Sequence, residues 1–129
     1  MKVNIPEDVL EYGLDSSVVI DFAEQEDLQI IFPDEYTLQL DIDSGTQYDA
    51  YLSRLEFFKK FFSIKSTEIK PSKEGLPHQH ITIKLEHPVT DIERIFLQLV
   101  LGSDLKREVY SFLRIQIGDK HPTLFLEKK

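Results

Sequence analysis

Apolar and polar residues alternate along two stretches of the chain, residues 36–43 and 78–85. Alternation with a period of two is typical of strands that bury one face. The apolar positions, which we expect to face a core, are Leu38, Leu40, Ile42, Ile81, Ile83 and Leu85. Less regular apolar runs are candidate strands at residues 18–20, 28–32, 64–70 and 123–126.

Apolar residues three and four positions apart predict helices in the segments between these strands. Ser44 and Gln47 form a predicted capping box before a helix that runs to about Phe62, and Thr90 and Glu93 form a second one. Ser103 is the predicted N-cap of a third long helix. Gly102 and Gly118 are expected to end the second and third of these helices, and Pro6 is expected to begin a short one near the amino terminus.

From residue 36 onward the predicted order is β-α-β-β-α(α)-β, which is the split βαβ pattern of ferredoxin-like and RNA-recognition-type sheets. We therefore predict an α+β fold in which the first and third of these strands are neighbours. Their polar positions would then converge on the open face of the sheet. These positions are Asp41, Asp43, His78, His80 and Lys84.

The charge of the chain is unevenly distributed. The net charge is −8, but residues 1–35 hold ten acidic residues and one basic one, a balance of −9, which leaves +1 for residues 36–129. We predict an acidic amino-terminal extension over residues 1–35, either an arm or part of the core, before an α+β domain over residues 36–129. The negative total argues against nonspecific binding of duplex nucleic acid, whereas a single-stranded nucleic acid, a nucleotide or a protein partner stays open, as does the oligomeric state.

The chain contains no cysteine, which excludes disulfides, thiolate metal sites and cysteine nucleophiles. No apolar run approaches the length that spans a membrane, and the acidic amino terminus lacks the basic region of a signal peptide. We therefore expect a cytoplasmic protein with no membrane contact.

Asp41 and Asp43 are the most informative pair in the sequence. They lie two residues apart on a predicted strand, so both side chains share one face, about 7 Å apart along the strand. Two anions held this close are suited to a hard divalent cation such as Mg²⁺ or Mn²⁺, which prefers carboxylate oxygens. The alternative is a strand end with two solvated acids before a Ser-Gly turn.

Two motifs resemble the catalytic core of archaeo-eukaryotic primases and primase-polymerases. The first is the strand end Leu40-Asp41-Ile42-Asp43, and the second is the Gly-containing loop and strand of residues 72–81. The resemblance implies that Asp41 and Asp43 hold metal and that His80 or His78 contacts the nucleotide phosphates. A chain this short, without the cysteines of a zinc-binding segment, would be a reduced relative of the phage or mobile-element type.

The predicted chemistry is divalent-metal-dependent nucleotidyl transfer, or a catalytically reduced remnant of it, since two metal ions stabilise the attacking and leaving oxygens of such a reaction. The candidate catalytic residues are Asp41, Asp43 and His80, and Asp104 is the candidate third metal ligand. The candidate residues for nucleotide or phosphate binding are Ser72, Lys73, Gly75, His78, Lys84 and Arg107, and the guanidinium of Arg107 matches phosphate geometry.

Two other classes of function remain open. The first is a non-enzymatic accessory or inhibitor module of a phage or mobile element. The second is a two-histidine phosphoesterase, because residues 80–83 and 121–124 both fit the pattern His-x-Thr-apolar. A third acid within about 5 Å of Asp41 and Asp43 would favour the metal-dependent function, whereas a cleft shared by His80 and His121 would favour the phosphoesterase.

Overall fold

The computed structural model describes residues 1–12, 14–72 and 74–129, and within them the fold is α+β, with five helices and two small antiparallel sheets. The helices are α1 (Glu7–Tyr12), α2 (Ser16–Gln25), α3 (Gly45–Phe58), α4 (Asp91–Val100) and α5 (Leu105–Gln116). The strands are β1 (Leu28–Ile31), β2 (Thr37–Ile42), β3 (Ile64–Pro71), β4 (Gln79–Leu85) and β5 (Phe125–Lys128). Among the described residues, no helix is long and apolar enough to cross a membrane.

The larger sheet has the strand order β2-β4-β3, and both pairs are antiparallel. The prediction that the strands carrying Asp41 and His80 are neighbours is therefore confirmed, and these two residues lie opposite each other. Helices α3 and α4 cover the face of this sheet that carries its apolar side chains. The fully buried side chains of this core include Leu38, Leu40, Ile42, Tyr51, Phe58, Ile81, Ile83 and Leu101.

The ferredoxin-like sheet is not confirmed, because the last strand does not join it. In the structure β5 pairs with β1 instead, with Leu28 opposite Lys128 and Ile31 opposite Phe125. This second sheet covers the face that the sequence predicted to be open. Gln39, expected to point toward solvent, is buried, and its side-chain amide donates to the carbonyl of Ile31 at 2.9 Å.

Side chains of α4 and α5 occupy the edge of β2 where a fourth strand would lie. The Arg94 Nε donates to the carbonyl of Thr37 at 2.8 Å, and the N–H of Gln39 donates to the Oε1 of Gln98 at 2.8 Å. Arg107 donates to the carbonyl of Gln39. Because buried backbone groups without partners are costly, these side chains stabilise an edge that no strand covers.

The segment before residue 36 contributes to the fold, so a separate acidic extension is not seen. Leu14 is fully buried, and β1 supplies the partner of β5. The apolar run at residues 18–20, a candidate strand, lies inside α2, because Asp15 caps the amino end of that helix by accepting from the N–H of Ser17 at 2.9 Å.

Most predicted element boundaries agree with the structure, with three local differences. Strand β5 spans Phe125–Lys128 rather than residues 123–126. Helix α3 ends at Phe58 rather than near Phe62. Helix α5 is capped by Asp104, whose carboxylate accepts from the N–H of Arg107 at 3.0 Å, and not by Ser103. The capping box at Thr90 and the positive φ of Gly102 and Gly118 agree with the predictions.

Candidate metal centre

Asp41 lies near the end of β2, and Asp43 lies in the tight turn from β2 into α3. Ser44 accepts from the N–H of Gln47 at 3.1 Å, as the predicted capping box requires. The side chain of Gln47 reaches one residue farther than predicted, so that its Oε1 accepts from the N–H of Asp43 at 2.8 Å. Its Nε2 donates to the carbonyls of Asp41 (3.0 Å) and Gly102 (2.7 Å), which ties this turn to the one between α4 and α5.

The turn between α4 and α5 brings a third carboxylate to the same place. Gly102 has a φ of +92°, which a residue with a side chain adopts only with strain. The chain then reverses so that the N–H of Asp104 donates to the carbonyl of Asp41 at 2.8 Å. This backbone contact positions the Asp104 side chain beside the strand that carries Asp41.

Asp41, Asp43 and Asp104 form a cluster of carboxylates. Each is half-buried and offers one oxygen, and these oxygens all lie within 4.8 Å of one another. They are the three residues that the sequence predicted as metal ligands, and the third acid lies within the distance expected for the metal-dependent function. Carboxylate oxygens at this spacing match the ligands that Mg²⁺ and Mn²⁺ use in proteins.

The carboxylates of the cluster repel one another electrostatically. Burial raises the pKa of Asp41 to about 6, and the neighbouring charges of Asp43, Asp104 and Glu74 add to the effect. Arg107 acts in the opposite direction but does not compensate. A bound divalent cation would remove this repulsion.

His78 lies at the outer side of the cluster. Its Nδ1 lies 3.0 Å from Oδ1 of Asp43 and 3.5 Å from Oε2 of Glu74. The hydrogen bond with Asp43 raises the pKa of His78, Glu74 adds to the rise, and desolvation opposes it. His78 therefore contacts a predicted metal ligand.

Asp41 also lines a cavity of about 200 Å³. His80 lines it and stacks on Phe125 of β5, with ring centroids 3.8 Å apart and planes at 4°. Arg107 lies over the same ring, 5.1 Å from its centroid. Ser72, a predicted phosphate ligand, also lines this cavity.

Two other predicted phosphate ligands, Lys84 and Gly75, do not line this cavity. Lys84 lies at the opposite end of β2, where its Nζ donates to Oγ1 of Thr37 at 2.5 Å. Gly75 adopts a φ of +77° in the loop before β4, where its N–H donates to the carbonyl of Ser72 at 2.9 Å. Lys73 lies outside the described residues.

His80 and His121 do not share a cavity among those found in the described residues. His121 stacks on Phe32, with ring centroids 4.3 Å apart, and lines a separate cavity of about 60 Å³ beside Thr123. A two-histidine phosphoesterase needs both imidazoles on one phosphate. The structure gives this alternative no geometric support.

Sequence analysis missed the buried polar residues that support the cluster. Glu108 is 0% exposed and accepts from Gln98, Ser103 and Arg107, each at 2.7 Å. Of the residues that contact Glu108, the sequence predicts a binding role only for Arg107. One signal was present, because Arg94 and Gln98 lie four residues apart on the face of α4 that also carries Ile95.

Comparisons with protein-family models, with curated proteins and with solved structures found no match. The resemblance to primase cores therefore stays a prediction that rests on the two sequence motifs. The function has to be argued from the carboxylate cluster and from its surroundings.

Proposed function

We propose that this chain binds a divalent cation, Mg²⁺ or Mn²⁺, and uses it to hold the phosphates of a nucleotide. The observation that carries the proposal is the convergence of Asp41, Asp43 and Asp104 within 4.8 Å. The chemistry that follows is nucleotidyl transfer, or nucleotide binding by a reduced form of such an enzyme, because metal ions in these reactions neutralise phosphate oxygens.

The surroundings of the cluster support a phosphate ligand as well as a metal. Asp41 belongs both to the cluster and to the wall of the adjoining cavity, and Arg107, Ser72 and His80 line the same cavity. A cation held by the three carboxylates would lie beside groups that donate hydrogen bonds to anions. His80 would be held in place by its stacking on Phe125.

The alternative of a non-enzymatic binding module is favoured by a different feature. An apolar groove of about 570 Å³ lies near the carboxyl end of α3, and Phe61, Phe62 and Phe96 are exposed there. The groove includes Leu85, which belongs to the end of the sheet opposite Asp41 and His80. The residues that line this groove do not include Asp41, Asp43 or Asp104. A protein-binding role through the groove therefore does not explain the carboxylate cluster.

Coupled binding of metal and nucleotide tests the proposal. We expect Mn²⁺ to bind in the millimolar range that is typical of sites with few charged ligands, and to bind more tightly when a nucleoside triphosphate adds oxygens. The double variant Asp41→Asn/Asp43→Asn should lose this coupling. The matched control is Asp49→Asn/Glu56→Gln, which removes two exposed acids of α3.

Calorimetric titration of the wild type and of both double variants with Mn²⁺, in the presence and absence of ATP, measures this coupling. Equal coupling in the wild type and in Asp41→Asn/Asp43→Asn would overturn the proposal. If coupling is lost only in that variant, an assay for release of pyrophosphate with an oligonucleotide acceptor then separates an active transferase from a reduced form.

A further inference from the structure

Arg114 carries a buried positive charge whose partners are neutral. It belongs to α5 and is 8% exposed; its Nε donates to the carbonyl of Leu14 at 2.6 Å and its Nη1 to the carbonyl of Pro122 at 3.2 Å. Among the described residues, no carboxylate oxygen lies within 4.0 Å of its guanidinium. Buried charges are normally paired with an opposite charge, so Arg114 is suited to bind an anionic ligand.

The acidic group that attracts Arg114 most strongly does not fill this role. Asp119 attracts Arg114 electrostatically, yet burial still lowers the pKa of Arg114 overall. The carboxylate of Asp119 is instead occupied by the hydroxyl and N–H of Ser16, at 2.5 and 2.7 Å, and by the N–H of His121 at 2.9 Å.

Arg114 lines the cavity of about 200 Å³ that adjoins the metal centre. Arg107 lines it too, but its charge is already paired with Glu108 at 2.7 Å. Among the described residues that line the cavity, Arg114 is therefore the cation that lacks a carboxylate partner. Asp41 lines the same cavity and connects it to the carboxylate cluster.

We propose that this cavity is a subsite for the polyphosphate chain of the ligand, with Arg114 as the counter-ion of a phosphate group. The inference rests on the proposed function and deepens it. A cavity of about 200 Å³ is smaller than the pockets of roughly 300–1,000 Å³ that enclose drug-sized ligands. It therefore accommodates phosphates and leaves the nucleoside outside, so that binding does not depend on the base.

The acidic residues of the cavity make phosphate binding depend on metal. Asp41 and Glu74 also line the cavity, and Glu127 lies 3.6 Å from the Nδ1 of His80. These carboxylates repel an anion until a cation neutralises the cluster. Tripolyphosphate should consequently bind in the presence of Mn²⁺ and not in its absence.

The first test uses the wild-type chain with inorganic tripolyphosphate as the probe. With Mn²⁺ present, we expect tripolyphosphate to displace ATP, and we expect ATP, GTP, CTP and UTP to bind within about threefold of one another, a difference below about 1 kcal/mol. Adenosine should not compete. Strong preference for one base, or competition by adenosine but not by tripolyphosphate, would overturn the subsite.

The second test blocks the cavity without changing a charge. Val19 of α2 lines the cavity, whereas its neighbour Val18 is exposed. Val19→Trp should weaken tripolyphosphate binding at least tenfold, about 1.4 kcal/mol, and leave Mn²⁺ binding unchanged. Val18→Trp is the matched control and should behave like the wild type.

Arg114→Lys adds a third arm, because it keeps the charge and removes the planar fork that matches phosphate oxygens. We expect weaker tripolyphosphate binding with unchanged Mn²⁺ binding. If this variant does not fold, the competition experiment on the wild type and the comparison of Val19→Trp with Val18→Trp still test the subsite. Binding of Mn²⁺ and ATP without displacement by tripolyphosphate would reject the subsite alone, whereas no binding of Mn²⁺ or nucleotide would reject the proposed function with it.

Discussion

The backbone N–H of Asp41 donates to the hydroxyl of Ser103 at 3.0 Å, so a side chain from the α4–α5 turn holds the strand of the metal centre. The same hydroxyl donates to the buried carboxylate of Glu108 at 2.7 Å. Glu108 also holds Gln98 and Arg107, which both bind Gln39 of β2. One buried carboxylate thus organises the edge of the strand that presents Asp41.

Ser103→Ala tests this arrangement through stability. The substitution leaves the N–H of Asp41 without its acceptor, whereas the Oε2 of Glu108 keeps its hydrogen bond from Arg107. An unsatisfied buried polar group costs about 1–3 kcal/mol, so we expect the free energy of unfolding to fall by about that amount. Urea denaturation measures it.

The matched control for Ser103→Ala is Ser66→Ala, at an exposed position of β3. We expect a change of less than about 0.5 kcal/mol there, as for most surface substitutions. Equal effects of the two substitutions would show that the hydroxyl of Ser103 does not stabilise the edge of β2.

Asp41→Asn should stabilise the protein at neutral pH. Burial raises the pKa of Asp41 from 3.8 to about 6, so the folded state binds this proton more tightly than the unfolded state. Between these values stability therefore falls as pH rises, and the charged carboxylate costs about 1–3 kcal/mol above pH 6. We expect the variant to gain about that much at pH 7.

The advantage of Asp41→Asn should shrink as the pH falls from 6 toward 3.8, because Asp41 is then protonated in the wild type. Asp49→Asn, at an exposed position, is the control and should show no such trend. An advantage that is constant between pH 4 and pH 7 would contradict the shifted pKa.

Local patterns in the sequence predicted the three-stranded part of the fold and the acidic cluster, for identifiable physical reasons. Alternation predicted β2 and β4, and the order of elements made them neighbours. The pairing of β5 with β1 could not be predicted, since strand partners far apart in sequence are chosen by packing and not by local pattern. Arg114 and Glu108 were missed because their burial depends on these tertiary contacts, and a charged residue on a helix is usually exposed.

The charged carboxylate of Asp119 should stabilise the folded protein at pH values above 3.8, its ordinary pKa. Burial alone would raise the pKa of Asp119, but the hydrogen bonds from Ser16 and His121 and the charge of Arg114 outweigh it, so that the pKa is lowered from 3.8. A lowered pKa means that the contribution is complete above the unfolded value of 3.8 and is lost as pH falls through the folded value.

Asp119→Asn should therefore destabilise the protein at pH 7 by about 1.5–3 kcal/mol, the range for hydrogen bonds to a charged group. The difference from the wild type should decrease below pH 3.8. Asp21→Asn, on the exposed side of α2, provides the control. Thermal denaturation at several pH values measures these differences. Wild-type stability in both variants at pH 7 would contradict the expectation.

Deletion of residues 1–35 should unfold the carboxy-terminal part of the chain. The deletion removes β1, the partner of β5, and the carbonyl of Leu14 that accepts from Arg114. We expect loss of a cooperative thermal transition, observed by circular dichroism. Deletion of residues 1–5 is the control and should leave the transition intact; a cooperative transition in both truncations would show that the amino-terminal segment is dispensable.

Paramagnetic broadening by Mn²⁺ in ¹H–¹⁵N NMR spectra is the most direct test of the metal centre. Substoichiometric Mn²⁺ should selectively broaden the amide signals of residues 41–43, 78–80 and 102–105, which surround the carboxylate cluster. Signals of residues 91–93, which also carry acidic side chains but lie at the start of α4, beside Asp34 and Thr37 at the other end of β2, should persist. Broadening centred on residues 1–35, or spread evenly over all acidic segments, would contradict the assignment of the cation to Asp41, Asp43 and Asp104.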